Sequence, residues 1–232
     1  MENKILPVRV TERGTESLAT RAVERALAER RASYAQEVRR LLEAGFVLIR
    51  RNNQLEPRVS EVIREAGLSN QAFYRHFPSK QAFLVAVLDE GVRVLAGYLA
   101  HRMQAAQGPL DQVRAWLVGM LEQALDPEGA AATRPFALAR GRLAEAFPDE
   151  VAASERQLTA LVRDAIRAAA AAGEIPSGDP DRDAETLYHL AMGWMQARLA
   201  EPRPADRRDA ERLVGFAMSG LARGPCVPAG RG

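Results

Sequence analysis

Apolar residues recur at helical spacing along most of this 232-residue chain, and strictly alternating runs are scarce, so it reads as all-α. The firmest stripe lies between Ser33 and Arg51. There Tyr34, Val38, Leu41, Leu42, Gly45, Leu48 and Ile49 predict an amphipathic helix with one face to bury. Asn52-Asn53-Gln54 ends it. Upstream, Leu18, Ala22, Arg25 and Ala26 form a thinner stripe in a separate helix over Thr15 to Arg31. Residues 1–14 carry no period and are expected to be flexible.

Two short helices follow. Pro57 suits a first helical turn, and Val59, Val62 and Ile63 carry that helix to Ala66. Gly67 supplies a residue tolerant of positive φ, where a helix can stop. Leu68 fills the turn, Ser69 caps the next helix, and that helix runs from Asn70 to Phe77, before Pro78. Ser79 caps a long helix predicted from Lys80 to about Ala106. Further helices are predicted over Leu110–Leu125, Pro135–Ala146 and Asp149–Ala172, with Asp126-Pro127, Pro148 and Gly173 as stops. Asp179-Pro180 gives an N-cap and N1 pair for a helix to about Ala200, and Pro204 opens a last helix to about Arg223. Residues 224–232 read as a disordered tail.

A short helix, a glycine-containing turn and a second short helix make the spacing of a helix-turn-helix. Its second helix needs one face anchored and the other free to enter the major groove. Phe73 and Phe77 lie four apart on the face to be anchored against Val59, Val62 and Ile63; Asn70, Gln71, Tyr74 and Arg75 lie opposite. Asn and Gln can pair bidentately with adenine and Arg with guanine, each pair discriminating by roughly 1–3 kcal/mol. Tyr74 suits a phosphate, which fixes register without reading sequence. Lys80 can hold another phosphate together with the free N–H groups of the helix it begins. The same polar face would also fit a solvated structural helix.

Composition adds a charge asymmetry. Residues 1–80 hold 15 Lys or Arg against 10 Asp or Glu, whereas the rest of the chain holds 17 against 20. A basic N-terminal third on a mildly acidic body suits a module that approaches phosphates. The single cysteine, Cys226, excludes a disulfide within the chain, and no Cys/His set has metal-ligand spacing, so no metal and no cofactor are expected. The three histidines, His76, His101 and His189, are dispersed, and no Gly-rich phosphate loop or nucleophile motif is present, which argues against an enzyme. The N-terminus lacks a signal-peptide run, and no apolar stretch approaches the ~20 residues of a membrane span, so a cytoplasmic location without membrane association is expected.

The block Val59-Ser60-Glu61-Val62-Ile63-Arg64-Glu65-Ala66-Gly67-Leu68-Ser69, followed by Phe73-Tyr74-Arg75-His76-Phe77-Pro78-Ser79-Lys80-Gln81-Ala82-Phe83-Leu84, resembles the DNA-binding domain of the TetR family of transcription regulators. The resemblance covers about Ser33 to Glu90. It implies that residues from Ser69 through Asn70, Gln71, Ala72 and Tyr74 to Arg75 read bases and nearby phosphates. It further implies that Tyr74 and Lys80 contact backbone and that His76 and Phe77 pack the domain. The chain departs from the family at Pro57-Arg58, where paired threonines are usual; Arg58 or Ser60 would replace the lost phosphate contact. Gln71 and Ala72 stand where Gly-Thr is frequent, and Ile63 where a small residue is common. A longer N-terminal extension carries Arg21, Arg25, Arg30 and Arg31, either as a DNA arm or as added helix.

Four segments result: a partly helical extension (1–32), a three-helix DNA-binding domain with the helix-turn-helix (33–90), a helical effector-binding and dimerisation domain (91–223), and the tail (224–232). One helix-turn-helix reads too few base pairs to be selective, so a homodimer on a palindromic double-stranded operator is expected. Leu187, Leu190, Ala191, Trp194 and Arg198 form one candidate interface stripe, and Leu213, Phe216, Ala217, Gly220 and Leu221 another. The same stripes would also suit the core of a single subunit. Trp116, Met120, Phe136, Arg140, Tyr188, His189 and Met192 are candidates for a pocket that takes a small-molecule effector, large and partly apolar, such as a fatty acyl thioester. Ordinary core packing also accounts for them. The expected function is a ligand-responsive repressor; the alternative is a helical lipid-binding or scaffold protein without specific DNA binding.

Overall fold

The computed structural model describes residues 17–176, 179–201 and 206–223, and most helices expected from the hydropathy pattern are found there with adjusted bounds, two being merged and one divided. Residues 1–14, Cys226, Pro204 and the tail from 224 lie outside the described residues. Those described form ten helices and no strand: α1 Leu18–Asn52, α2 Val59–Ala66, α3 Asn70–His76, α4 Lys80–Gln104, α5 Pro109–Leu125, α6 Pro127–Leu138, α7 Arg140–Ala146, α8 Pro148–Ala171, α9 Pro180–Ala200 and α10 Arg207–Arg223.

Four boundaries differ from expectation. The two N-terminal helices are one, because nothing between Arg31 and Ser33 breaks a helix and the stretch is rich in Ala, Arg and Glu, which favour helix. Pro57 does not open α2. It is buried in the connector, the extended residue Arg58 (φ −73°, ψ 139°) precedes the first turn, and the Glu61 carboxylate accepts from the Arg58 N–H at 3.1 Å. Asp126-Pro127 is a start as well as a stop. Asp126 accepts from the Gly129 N–H at 2.7 Å and Pro127 occupies the first turn, so α6 begins where a loop was expected. The expected Pro135–Ala146 helix is split: Pro135 falls inside α6, where it cannot donate to the carbonyl one turn back, α6 ends at Leu138, and α7 restarts at Arg140.

The chain divides into two units, residues 1–39 and 40–232. In the first, residues 17–36 are exposed, Arg21, Arg25, Arg30 and Arg31 among them. The second contains the remainder of α1 and all other helices. Its largest core centres on α5, which packs against α4, α6, α8, α9 and α10 and is buried on several faces through Val113, Trp116, Leu117, Met120 and Leu121.

Around the helix-turn-helix, the buried face of α1 from Leu41 to Ile49 meets the aromatic residues that follow. Gly45 permits this approach: a Cβ built there would stand 2.7 Å from the Phe83 ring. Because Phe83 is itself buried, Gly45→Ala is expected to overpack the site and cost about 1–3 kcal/mol, read as a lower urea midpoint at unchanged m-value. A variant as stable as the parent would contradict that packing.

Candidate nucleic-acid interface and a body cavity

The turn between α2 and α3 is built as its sequence requires. Gly67 takes φ +61°, the Arg40 guanidinium donates to the Ala66 carbonyl at 2.5 Å and to the Gly67 carbonyl at 3.1 Å, and Ser69 accepts from the Ala72 N–H at 3.1 Å. Phe73 is fully buried and packs edge-on and tilted against its neighbours. Its ring centroid lies 5.3 Å from Phe83 and 5.8 Å from Phe77, with Phe77 and Phe83 at 5.3 Å from each other. This anchoring leaves Asn70, Gln71, Tyr74 and Arg75 exposed on the other side of α3.

Other predicted contact residues sit differently. Arg58 and Ser60 are exposed at the start of α2. Ser69 is exposed but has its hydroxyl oxygen committed as a cap. Ala72 is corrected: it is buried on the anchored face, so its side chain cannot reach DNA. The Lys80 ammonium donates to Glu56 Oε2 at 3.0 Å, a partner that spacing along the sequence did not suggest.

A cavity of about 1140 Å³ lies within the second unit. Phe136, Arg140, Tyr188 and Met192 line it. Trp116 and Met120 do not: both are fully buried in the core, and the Trp116 indole N–H donates to the Leu158 carbonyl at 3.1 Å. His189 is also outside the wall, exposed, with Nδ1 2.9 Å from the Glu185 carbonyl. Hydropathy missed the contribution of α1. Phe46, Val47, Glu43 and Arg50 form part of the wall, on a face different from the one α1 buries against Phe83. Gly91 and Leu95 of α4 line it as well.

Some polar groups of the cavity wall are held by partners. Arg140 bonds Glu155, and burial raises the Tyr188 pKa against the opposing influence of the Arg140 charge, so the phenol keeps its proton. Tyr98 donates to Glu122 at 2.6 Å; burial and that bond raise its pKa too. Arg102 bridges Tyr98 and Glu122, joining α4 to α5.

The expected interface stripes are partly corrected. Leu187, Ala191 and Ala217 are buried in this chain's own core and cannot meet a second copy. Leu190, Trp194, Arg198, Leu213 and Leu221 are half-buried, Gly220 is exposed, and Phe216 is 74% exposed. Gly193, Ala197, Gly215 and Ser219, absent from the apolar pattern, share those outer faces.

Residues 41–87, from α1 to the first turns of α4, match the family described as "Bacterial regulatory proteins, tetR family". The helix-turn-helix segment of the chain is similar to that family, over less than half of the chain's length. No curated protein sequence matches it. Among solved structures, a TetR-family regulator from Rhodococcus sp. is 22% identical at a TM-score of 0.64, over 80% of this chain and 98% of its own. A TetR regulator from Haloarcula marismortui is 16% identical at 0.66, over 82% and 97%. RolR in complex with resorcinol is 13% identical at 0.59, over 81% and 88%. These neighbours share the all-helical fold of the chain, across both the helix-turn-helix and the helical body.

Proposed function

We propose that this chain is a cytoplasmic, dimeric transcription regulator, most simply a repressor, that binds a palindromic operator and is released by a small-molecule effector. The observation that carries the proposal is the two-sidedness of α3: Phe73 and Ala72 are buried while Asn70, Gln71, Tyr74 and Arg75 stand exposed. Asn70, Gln71 and Arg75 then read base edges, and Tyr74, Lys80, Arg58 and Ser60 engage phosphates. The second copy docks on the outer faces of α9 and α10, where Phe216 supplies an anchor and Gly193, Gly215 and Gly220 permit close helix approach.

In this reading the cavity receives the effector, a mostly apolar molecule with a polar end near Arg140 and Tyr188. Its wall includes both α1 and α4, so the ligand bears on the reading head through two helices. Displacing them changes the spacing of the two heads, and a coupling of ~1–3 kcal/mol lowers operator affinity from a few-fold to about a hundredfold. The resorcinol bound to RolR, a protein of the same fold, supports a ligand role for the body.

Selection of bound duplexes from a random pool at moderate salt tests the proposal, and failure to enrich any palindrome would refute it. On the enriched site, Lys80→Ala is expected to weaken binding to all sequences and flatten the salt dependence. Gln71→Ala is expected to relax preference at one position, at a cost of about 1–3 kcal/mol for the preferred base. Uniform weakening by the second variant would remove Gln71 from the base readers.

A further inference from the structure

We infer that Glu56 sets the DNA affinity of the reading head by occupying the Lys80 ammonium that a backbone phosphate would otherwise take. The inference rests on the DNA-binding reading and adds to it a residue outside the helix-turn-helix. Lys80 is the first residue of α4, directly after Ser79, whose hydroxyl accepts from the Ala82 N–H at 3.0 Å. Its ammonium lies 3.0 Å from Glu56 Oε2, and both side chains remain in contact with solvent.

Glu56 is presented there by its neighbours. Leu55 and Pro57 on either side are buried, which holds the connector against the domain and keeps the carboxylate within reach of Lys80. Other acids near the reading head have different engagements. Glu61 accepts from the Arg58 N–H, Glu65 pairs with Arg51 at 3.5 Å, and Glu43 faces the body cavity. Glu56 pairs with Lys80, a cation expected to meet DNA.

An exposed ion pair of this kind adds little to folding stability. Its consequence for DNA is larger. A carboxylate and a phosphate oxygen are similar acceptors for an ammonium, so binding exchanges one partner for the other. Lys80 therefore neutralises a phosphate only at the expense of an uncompensated Glu56 beside the backbone. The head binds all sequences more weakly than its count of cations implies, which leaves operator affinity within the range that an effector can reverse.

The test titrates the full chain and its variants with a mixed-sequence duplex of about 30 base pairs, across about 50–200 mM salt. Glu56→Gln, which keeps the side-chain shape, is expected to bind about three- to tenfold more tightly at the lowest salt and to steepen the log–log salt slope by about 0.9, the value of one added phosphate contact. In a Lys80→Ala background the same change is expected to leave the slope unaltered, since no cation is freed. Wild-type affinity and slope in Glu56→Gln would overturn the inference. So would equal gains in both backgrounds, which would assign the effect to the general field of the domain. A parent chain that fails to bind the duplex even at the lowest salt would instead remove the DNA-binding reading on which the inference stands.

Discussion

Phe73→Ala is expected to destabilise the protein by about 3–5 kcal/mol and to abolish selective DNA binding. The ring is fully buried and packs on the Phe77 and Phe83 rings, so truncation removes its transfer free energy and leaves a void between them. Stabilities of whole domains are about 5–15 kcal/mol, so this loss is a large fraction of the total. The functional effect follows from the length of α3. Seven residues cannot hold a helix in water without tertiary support. Phe73 is the main anchor on its buried face, and once it is gone the orientation of Asn70, Gln71 and Arg75 is no longer fixed. Urea denaturation reads the first effect and duplex selection the second. Phe73→Leu, which retains much of the volume, is expected to fall between the parent and the alanine variant. A Phe73→Ala protein that keeps both the parental midpoint and its enriched site would refute the anchoring role.

The reading head was legible in the sequence because several local rules agree there. Gly67 at positive φ, Ser69 and Ser79 as caps, Pro78 as a stop and the Phe73–Phe77 spacing each have a short-range physical cause. Elsewhere a single rule was ambiguous. Asp-Pro closes one helix and opens the next, and at Asp126 the two events share one residue. Periodicity locates a buried stripe without saying what buries it. Leu187, Ala191 and Ala217 therefore looked like an intersubunit seam, although the chain's own core covers them. The outer faces carry Gly193, Ala197, Gly215 and Ser219, whose small side chains leave almost no hydropathy signal. The Lys80–Glu56 pair joins residues 24 apart across three elements, and no helical spacing brings such residues to notice.

The cavity shows the same limit, and Trp116 turns it into a measurement. A large aromatic residue on α5 reads equally well as ligand contact or as core, yet its indole is fully enclosed and bonded to α8 through the Leu158 carbonyl. Trp116→Ala is accordingly expected to cost about 3–5 kcal/mol, since α5 is the helix on which α4, α6, α8, α9 and α10 converge and none can collapse far to refill the space. Trp116→Phe separates the two contributions. It keeps most of the apolar volume and loses the N–H donor, so it is expected to cost about 1 kcal/mol for the hydrogen bond, with a further amount for the smaller ring. Substitutions on the cavity wall should behave differently. Removing Met192 or Phe136 side-chain atoms enlarges a space that already exists, so those variants should lose less stability than Trp116→Ala while changing the uptake of apolar ligands. A Trp116→Ala protein that unfolds at the parental urea concentration would return this residue to the effector site. A midpoint far below the parent's would establish Trp116 as part of the core, while α5 meets the cavity further along, through Glu122, Gln123 and Leu125.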